Sequence, residues 1–535
     1  MAEFGTLNWS ILVTYIIANL ILGYFLGKKI NSDNDFYLGQ KTTPWWAIGI
    51  SVIATYVSAL TFLGAPAWSY KEGMSVIAIH LNYPLVIIAV ITLFLPFFYN
   101  SGVASIYEYI EKRFGTRARA TISIIWMTSQ TLTAGAILYA TSLVLGFITG
   151  LDVVHAIFIV TIIALIYTAM GGITAVIWTD VIQAVVLLIG SMIIVFALYQ
   201  QMPMSIHDTL IELKAEGKTN PLNFNFDFSQ VTTIWSGIIA MTIFHIMVYG
   251  TNQMMVQRTL AAKSIGDAKK SYILMGFLAF FIYFLFILLG ILFYSYYGGR
   301  EFENGNTIIL EFAADYGLPG LMGIIAAAVM AASMSSMDSA FNSLSTVATI
   351  DFYQKYFKPE ASPRHYLNVT RILTVVFATL IIIPAYLYTK SEGSVLEILS
   401  KVGSFFVGAQ LGMFILGFFS KQATEKGLLI GTACAFFAVA LVSTSTDVAW
   451  PWYCAIGIVV SVVVTIISSR IIDGVQHKYS RYSVRGQIQM FHSEQLQEKE
   501  NGWYVVPGKM DKACYWLLSF FLLSILFLFL FEHLI

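Results

Sequence analysis

Residues Ala331–Tyr353 read AASMSSMDSAFNSLSTVATIDFY and continue an apolar run that begins near Leu318. The first half of this stretch is expected to lie inside a bilayer, where polar side chains are poorly tolerated unless they face a cavity or one another. On a helix with about 100° per residue, nine polar residues fall within one half of the circumference. They are Ser335, Ser336, Asp338, Ser339, Asn342, Ser343, Ser345, Thr346 and Thr349.

This polar face predicts one wall of a cation site. Hard cations such as sodium take oxygen ligands, and the face carries hydroxyl and carboxylate oxygens. For any single serine the alternative is close packing, because small residues let membrane helices approach and hydrogen-bond across their interface. Asp338 favours a cation or proton role, since a carboxylate at that depth costs roughly 3 kcal/mol unless it is paired or metal-bound.

The composition indicates a polytopic, all-α membrane protein. Hydrophobic residues make up 58% of the chain and charged residues only 11%, whereas soluble proteins have about 25% charged residues. The formal net charge is zero, so nothing points to nucleic acid. Cys434, Cys454 and Cys514 lie in or beside apolar runs, without metal-ligand spacing or a disulfide framework. Met1–Asn8 has no basic residue before the first apolar run, so we expect a retained span there and no cleaved signal peptide.

About fourteen apolar windows are long enough to cross a bilayer. If the N-terminus is outside, all but six of the 30 Lys and Arg residues fall on the inner side. This asymmetry predicts both termini on the outer side of the plasma (inner) membrane. The windows lie near residues 8–27, 45–70, 74–99, 119–148, 151–170, 176–199, 231–256, 272–297, 318–350, 367–389, 395–419, 426–445, 450–469 and 512–532.

Two windows look interrupted. The second, at 45–70, carries hydroxyl side chains at mid-depth and then Gly64 and Pro66. The seventh, at 231–256, has the polar sequence 250–253 where an unbroken helix would be apolar. Because they are five windows apart, they occupy matching places in two five-helix blocks, which indicates an inverted-repeat transporter with its site at mid-membrane. Glycine and proline as ordinary membrane-helix residues explain either interruption alone, but not their spacing.

The same pattern divides the chain into segments. The hydrophilic segment at 470–511 is predicted to lie on the inner side. It has neither a Walker-type phosphate loop nor a kinase-like core, so an ATP-driven pump and a fused kinase are not indicated. The predicted segments are an extra N-terminal helix at 1–35, a first inverted repeat at 36–199, an outer loop at 200–230, a second repeat at 231–425, two peripheral helices at 426–469, an inner loop at 470–511 and a C-terminal helix at 512–535.

Four motifs resemble those of the solute:sodium symporter family, in matching order from about Phe36 to Lys426. The bacterial sodium/galactose and sodium/sialic acid cotransporters look most similar. The resemblance implies a leucine-transporter-type fold, in which spans two to six and seven to eleven form two inverted five-helix repeats. The motifs are DFYLGQKTTPWWAIGISVIAT from Asp35, MGGITAVIWTDVIQ from Met170, NQMMVQRTLAAKS from Asn252 and MSSMDSAFNSLSTVATIDFY from Met334.

The resemblance also implies a sodium site between the second and ninth spans. Five oxygens of low total charge would suit a weakly held monovalent ion that must be released again. The ligands would be the backbone carbonyls of Ala54, Val57 and Ala332 and the hydroxyls of Ser335 and Ser336.

A second sodium site, present in some members, would involve Asp180, Ser335 and Ser339. This chain has Asp338 where some two-sodium members have serine, and that carboxylate either strengthens the site or binds a proton. The alternative is that Asp180 caps the start of the sixth span and that Asp338 pairs with a neighbouring hydroxyl.

The substrate position implied by the family is lined by hydroxyls, an amide and an imidazole, a set that suits a polyol. His80 is equally well explained as a buried histidine satisfied by a neighbouring helix, and packing is the expected role of His245. The implied substrate residues are Tyr56, Ser58, Thr61, His80, Tyr83, Thr133, Asn252 and Gln253.

Two departures from the family bear on the substrate. Thr133 stands where the sialic acid transporter has an arginine, and Ala279 where the galactose transporter has a lysine. No Lys or Arg is placed at mid-membrane depth, so a buried carboxylate substrate would lack a counter-charge unless a helix N-terminus supplied it. These departures favour a neutral sugar or polyol, and a sugar acid such as sialic acid or an uronate stays open.

The expected function is sodium-coupled secondary symport of a small polar solute, with sodium as coupling ion, no organic cofactor and no obligate protein partner. An intramembrane enzyme would need a nucleophile with a base, or a metal cluster, and the sequence offers neither. A channel is disfavoured, because paired broken helices indicate an occluding transporter fold.

Overall fold

The computed structural model describes residues 4–27, 43–103, 105–168, 173–316, 318–390, 395–475 and 479–535. The segment boundary expected at residue 35 lies outside them. The first half of the chain contains α1 (Gly5–Gly27), α2 (Trp45–Tyr56), α3 (Ala65–Glu72), α4 (Tyr83–Ala89), α5 (Leu95–Ser101), α6 (Ile106–Arg113), α7 (Thr116–Thr149), α8 (Val153–Thr168) and α9 (Ile173–Gln201).

The second half is also helical, apart from one short antiparallel hairpin. Its helices are α10 (Ile206–Ala215), α11 (Met241–Gly250), α12 (Gln253–Leu260), α13 (Ile265–Tyr296), α14 (Ile308–Tyr316), α15 (Leu321–Val347), α16 (Pro363–Tyr388), α17 (Val395–Phe419), α18 (Glu425–Ser445), α19 (Pro451–Asp473), α20 (Val484–Ser493) and α21 (Lys512–Leu534). The hairpin pairs β1 (Lys499–Glu500) with β2 (Trp503–Tyr504).

Shorter helical turns join or extend these helices. π-Helical turns lie at Leu60–Gly64, Val90–Phe94, Ser236–Ala240 and Ala348–Phe357, and 3₁₀ segments lie at Gly73–His80 and Gly305–Thr307.

Within the described ranges, eleven helices are long and apolar enough to cross a membrane. One of them, Leu60–Ser101, joins the end of the predicted second window to the predicted third window, with a turn at residues 81–82. Shorter apolar helices at Trp45–Tyr56, Val153–Ile166 and Ser236–Gly250 lie within the predicted second, fifth and seventh windows. The chain is therefore a polytopic helical membrane protein, as the composition predicts.

Helix α15 carries the polar face and is buried along its length. It packs against α1, α2, α7, α9 and α16. Its apolar face, with Met334, Met337 and Phe341, is as buried as its polar face, so protein surrounds both. Some of the hydroxyls are satisfied within the helix, as where Ser343 Oγ donates to Ser339 O at 2.7 Å. For Ser343 the packing alternative is therefore sufficient.

The two predicted interruptions are both present. After α2 the helix stops at Val57 and resumes with the π-turn that begins at Leu60. This break comes before Gly64 and Pro66, so neither residue causes it. Pro66 lies in the first turn of α3, where its missing N–H is not needed. The second break separates α11 from α12. There the Oδ1 of Asn252 accepts a hydrogen bond from the N–H of Met254 at 3.0 Å and caps the new helix.

The segments outside the apolar windows are partly folded. The predicted loop at 200–230 contains α10, and the predicted loop at 470–511 contains α20 and the hairpin. Lys269 at the start of α13 is buried, and its Nζ donates to Asp511 Oδ2 at 2.6 Å and to Tyr504 O at 2.7 Å. The hairpin segment is thereby fixed to α13.

A charged network joins α6, the start of α7 and the π-helical extension of α15. The buried Arg119 contacts Asp351 Oδ1 at 2.5 Å and Glu111 Oε2 at 2.6 Å, and Ser123 Oγ donates to Asp351 Oδ2 at 2.6 Å. Burial raises the pKa of Glu111, but hydrogen bonds from Lys355 and Arg119 outweigh it and hold that pKa below its usual range. The network lies apart from the residues predicted to bind sodium.

Candidate functional site

The break after α2 frees backbone carbonyls where sodium ligands are predicted. In the described chain, the backbone donors of the break bond to the carbonyls of Ile53, Tyr56 and Ser58. The carbonyls of Ala54 and Val57 receive no backbone hydrogen bond from these residues. Oxygens exposed by an unwound membrane helix are suited to hold a cation.

Helix α15 meets this break through its two adjacent serines. Ser336 Oγ donates to Thr55 O at 2.9 Å and also lies 3.3 Å from Ala332 O. Ser335 Oγ donates to Asp180 Oδ1 at 2.6 Å. A hydroxyl that donates its hydrogen keeps its lone pairs available, so both serines remain possible cation ligands.

Four of the five predicted ligands line one cavity. Ala54, Val57, Ala332 and Ser335 line a crevice of about 490 Å³ between α2, α9, α13 and α15. Ser336 lies beside it, on the same turn of α15 as Ser335. The structure therefore brings the five residues of the first predicted sodium site together.

Asp180 is fully buried and contacts the side chains of Ser51, Thr55, Arg258 and Ser335. Ser51 Oγ donates to its Oδ2 at 2.5 Å, and Arg258 Nη2 lies 3.3 Å from the same oxygen. Arg258 also contacts Ser51 Oγ through Nε at 2.9 Å and Ser339 Oγ through Nη2. With Ser335 on Oδ1, the carboxylate holds α2, α9, α12 and α15 in one network.

Arg258 carries a buried charge that the sequence does not reveal as buried. It is only 1% exposed and pairs with Asp180, because α12 continues after the second break and carries Arg258 against α2, α9 and α15. It stays a prediction that no Lys or Arg lies at mid-membrane depth. Asp180 also lies more than a turn beyond Ile173, where the described part of α9 begins, so the proposed role as a first-turn cap does not apply.

The other predicted members of the second sodium site are Asp338 and Ser339, which lie next to each other on α15. Asp338 Oδ1 accepts from the backbone N–H of Ser339 at 2.7 Å. Ser339 Oγ donates to Ser335 O at 2.5 Å and accepts from Arg258. In this conformation the oxygens of Asp180 and Ser339 are thus engaged by a guanidinium.

A second, smaller cavity of about 160 Å³ lies beside the two breaks. Among its described lining residues there is no Asp, Glu, Lys or Arg. Six of the eight predicted substrate residues line it: Tyr56, Ser58, Thr61, His80, Thr133 and Asn252.

Two predicted substrate residues lie outside that lining. Gln253 Oε1 accepts from the N–H of Ile106 at 3.1 Å, so its amide caps the start of α6. The ring of Tyr83 lies behind His80, with the two ring centroids 6.0 Å apart. Both follow a lining residue closely in sequence, but their side chains point to other neighbours.

The histidines form a buried chain of hydrogen bonds. His80 Nδ1 lies 3.2 Å from Tyr83 Oη, which lies 3.5 Å from His245 Nε2, and His245 Nδ1 lies 2.7 Å from Asn82 Oδ1. The ring of Tyr283 stacks on His80 at 3.6 Å. His80 is therefore both a satisfied buried histidine and a lining residue. His245, expected only to pack, also lines the cavity.

A model of the sodium:solute symporter family matches residues 36–434. The chain belongs to this family. The sodium/sialic acid symporter of Aliivibrio fischeri is 29% identical over 474 residues, which cover 86% of this chain and 92% of that protein. The sodium/glucose cotransporter of Vibrio parahaemolyticus is 27% identical over 467 residues, covering 81% of this chain and 84% of that protein.

A solved structure extends the comparison to the fold. The substrate-bound, outward-open state of a Na⁺-coupled sialic acid symporter matches with a TM-score of 0.82 and 27% identity, covering 89% of this chain and 100% of that chain. The fold is thus of the leucine-transporter type. These relatives are sodium-coupled transporters and not enzymes, so this family member is a sodium-coupled symporter.

Sequence reasoning missed several residues that line the smaller cavity of this symporter. Trp126, Gln130 and Thr133 share one face of α7, and Trp126 Nε1 donates to Asn252 Oδ1 at 3.2 Å. Helical spacing counted back from Thr133 would have found the first two. Tyr283 lies one turn after Ala279, and the same count forward would have found it.

Proposed function

We propose that this symporter imports a neutral sugar or polyol together with sodium. The observation that carries the proposal is the smaller cavity, whose described lining has hydroxyl, amide, imidazole and aromatic groups but no charged side chain. A polyol needs both donors and acceptors, and aromatic faces pack against its C–H groups. The buried Arg258 does not give the cavity a positive charge for a substrate, because its guanidinium is bonded to Asp180 and Ser339.

A sugar acid is the second candidate, which the similarity to sodium/sialic acid symporters supports, whereas the similarity to a sodium/glucose cotransporter supports a neutral sugar. Its carboxylate would require a fixed positive group or a helix N-terminus. The helices that resume after the two breaks both start beside the cavity. Asn252 takes the N–H groups of Met254, Met255 and Val256, and Ser58 takes those of Leu60, Thr61 and Phe62. This capping favours a neutral substrate.

Sodium and substrate are coupled, in this proposal, through the break after α2. Ala54 and Val57 contribute to the sodium site, while Tyr56 and Ser58 line the substrate cavity. A cation bound to the carbonyls orders the same short segment that presents the substrate groups. Substrate binding to the ordered segment costs less conformational entropy, so each ligand raises the affinity for the other.

We further propose fourteen membrane spans arranged as two inverted five-helix repeats with additional helices. The two breaks, five spans apart, support this arrangement. The charge asymmetry supports both termini on the outer side of the plasma (inner) membrane. Sodium is the coupling ion, and the proposal includes neither an organic cofactor nor an obligate protein partner.

Uptake by the purified chain in lipid vesicles tests the proposed function. Radiolabelled sugars, polyols, sugar acids and vitamins are compared with and without an inward sodium gradient. A neutral sugar or polyol should accumulate only with the gradient, and uptake should saturate. Equal uptake under a potassium gradient would contradict sodium coupling.

Competition identifies the substrate class. Because the cavity offers no described counter-charge, an excess of the transported neutral sugar should reduce uptake strongly, whereas sialic acid or an uronate should reduce it little. Inhibition by sugar acids alone, without any effect of neutral sugars, would contradict the proposal.

A second sodium is proposed at Asp180, Asp338 and Ser339, in competition with Arg258. Because the guanidinium takes the same oxygens, this sodium binds only after Arg258 turns away, and more weakly than the first. Sodium-activation curves of uptake should have a Hill coefficient above one in the wild type and near one in Asp338→Ala. A coefficient of one in the wild type, with Asp180→Asn fully active, would show that these acids are structural.

A further inference from the structure

We propose that the crevice beside the sodium site binds one acyl chain of a membrane lipid. The crevice has a volume of about 490 Å³ and is lined by α2, α9, α13 and α15. Large apolar side chains on α9 and α13 form its rim, and Leu188, Met192 and Phe281 are each about half exposed. Both helices are long and apolar enough to cross the membrane, so the crevice opens onto bilayer hydrocarbon.

Most of the crevice lining is apolar, and the carbonyls of Ala54 and Val57 at its deep end are those that we propose for sodium. Of its two hydroxyls, Ser191 Oγ donates to Leu187 O at 2.8 Å and Ser335 Oγ donates to Asp180 Oδ1 at 2.6 Å. A lipid headgroup needs several polar partners, which this largely apolar lining supplies poorly. An acyl chain needs none, and it is the apolar molecule present at highest concentration around the rim.

Binding of an acyl chain is expected to depend on how well the chain fits the crevice. Moving an acyl chain from the bilayer into the crevice brings no hydrophobic gain, because lipid tails are as apolar as the lining. The gain comes from dispersion contacts that the walls of an empty crevice would lack. A flexible chain can follow an irregular crevice between helices, so occupancy should depend on chain structure more than on headgroup.

The position of the crevice gives an occupant access to the coupling site. Its deep end is formed by Ala54, Val57, Ala332 and Ser335, and the exposed fractions of these side chains are at most 6%. A bound chain would pack against the residues that we propose as sodium ligands. This consequence rests on the proposed function, whereas the binding itself does not.

Photocrosslinking of the full-length protein tests the binding. The protein is reconstituted in vesicles of phosphatidylethanolamine and phosphatidylglycerol that include a phosphatidylglycerol with a diazirine at the end of one acyl chain. After illumination, mass spectrometry should find adducts at Val57 and Ala332, which only a chain inside the crevice can reach. Adducts at the exposed Leu522 of α21 serve as the internal reference for general lipid contact.

A pair of variants on α9 separates the crevice from the general lipid surface. Ala184 lines the crevice, so Ala184→Trp should fill it and reduce the deep adducts several-fold relative to those at Leu522. Ile182 is 42% exposed and is not part of the lining, so Ile182→Trp should leave the adducts at Val57 and Ala332 unchanged. If Ala184→Trp does not fold, Leu188→Trp at the rim replaces it.

Two results would overturn the proposal. Adducts at Leu522 without any at Val57 and Ala332 would show that the crevice is closed to lipid chains in a bilayer. Deep adducts from a diazirine-bearing cholesterol, without any from the phospholipid, would identify a sterol site instead. Neither result would bear on sodium-coupled uptake, which is measured separately.

Discussion

Replacing Asp180 by alanine should destabilise the protein by about 3–5 kcal/mol, because it leaves a buried guanidinium without its carboxylate. Arg258 is 1% exposed, and its ion pair with Asp180 is fully enclosed. The variant should also lose sodium-dependent uptake, since Ser335 would lose the acceptor that orients its hydroxyl. Thermal unfolding of the detergent-purified protein, followed by the monodisperse fraction, measures the loss of stability.

The double variant Asp180→Ala with Arg258→Met is the matched control. An apolar replacement of a buried ion pair is often neutral, so the double variant should regain most of the stability. It should still fail in uptake, because Ser335 and Ser339 remain without their charged partners. Equal stability of the single variant and the wild type would show that the pair is not formed in the membrane.

Replacing Ser336 by alanine should raise the sodium concentration for half-maximal uptake about tenfold. Its hydroxyl joins α15 to the carbonyl of Thr55 at the break after α2. Loss of one ligand worth about 1.4 kcal/mol corresponds to a factor of ten in affinity. The maximal rate at saturating sodium should change much less, because alanine suits a packed membrane helix.

Ser343→Ala is the control on the same helix. Ser343 is equally buried, but its hydroxyl bonds to the carbonyls of Ser339 and Ala340 in its own helix. Its removal should leave the sodium dependence unchanged. A sodium dependence that is the same in Ser336→Ala and in the wild type would show that the first sodium site is wrongly assigned.

The sequence was sufficient where the signal is local. The polar face of α15 and the two breaks follow from composition and periodicity within single helices, and the structure has both breaks. Helical spacing also predicts which residues share a face, as with Trp126 and Thr133. Such features need no knowledge of how distant helices meet.

The sequence was insufficient where a contact joins distant helices. Arg258 and Asp180 are 78 residues apart, and nothing near either residue indicates that they pair. Gln253 bonds to the N–H of Ile106, 147 residues away, although its neighbour Asn252 lines the cavity. Adjacent polar residues at a helix start can point in different directions, and only the packed structure shows which one faces the cavity.

The break after α2 also limits how the transporter can be redesigned. In the proposed sites, the residues of this break alternate between sodium and substrate, so a substitution at Tyr56 or Ser58 that changes the accepted solute should also disturb the ion affinity that drives accumulation. The α7 wall, with Thr133 and Gln130, contributes none of the proposed sodium ligands. Efforts to redirect uptake to another solute, or to build a sensor for one, should therefore vary α7 and leave the break unchanged.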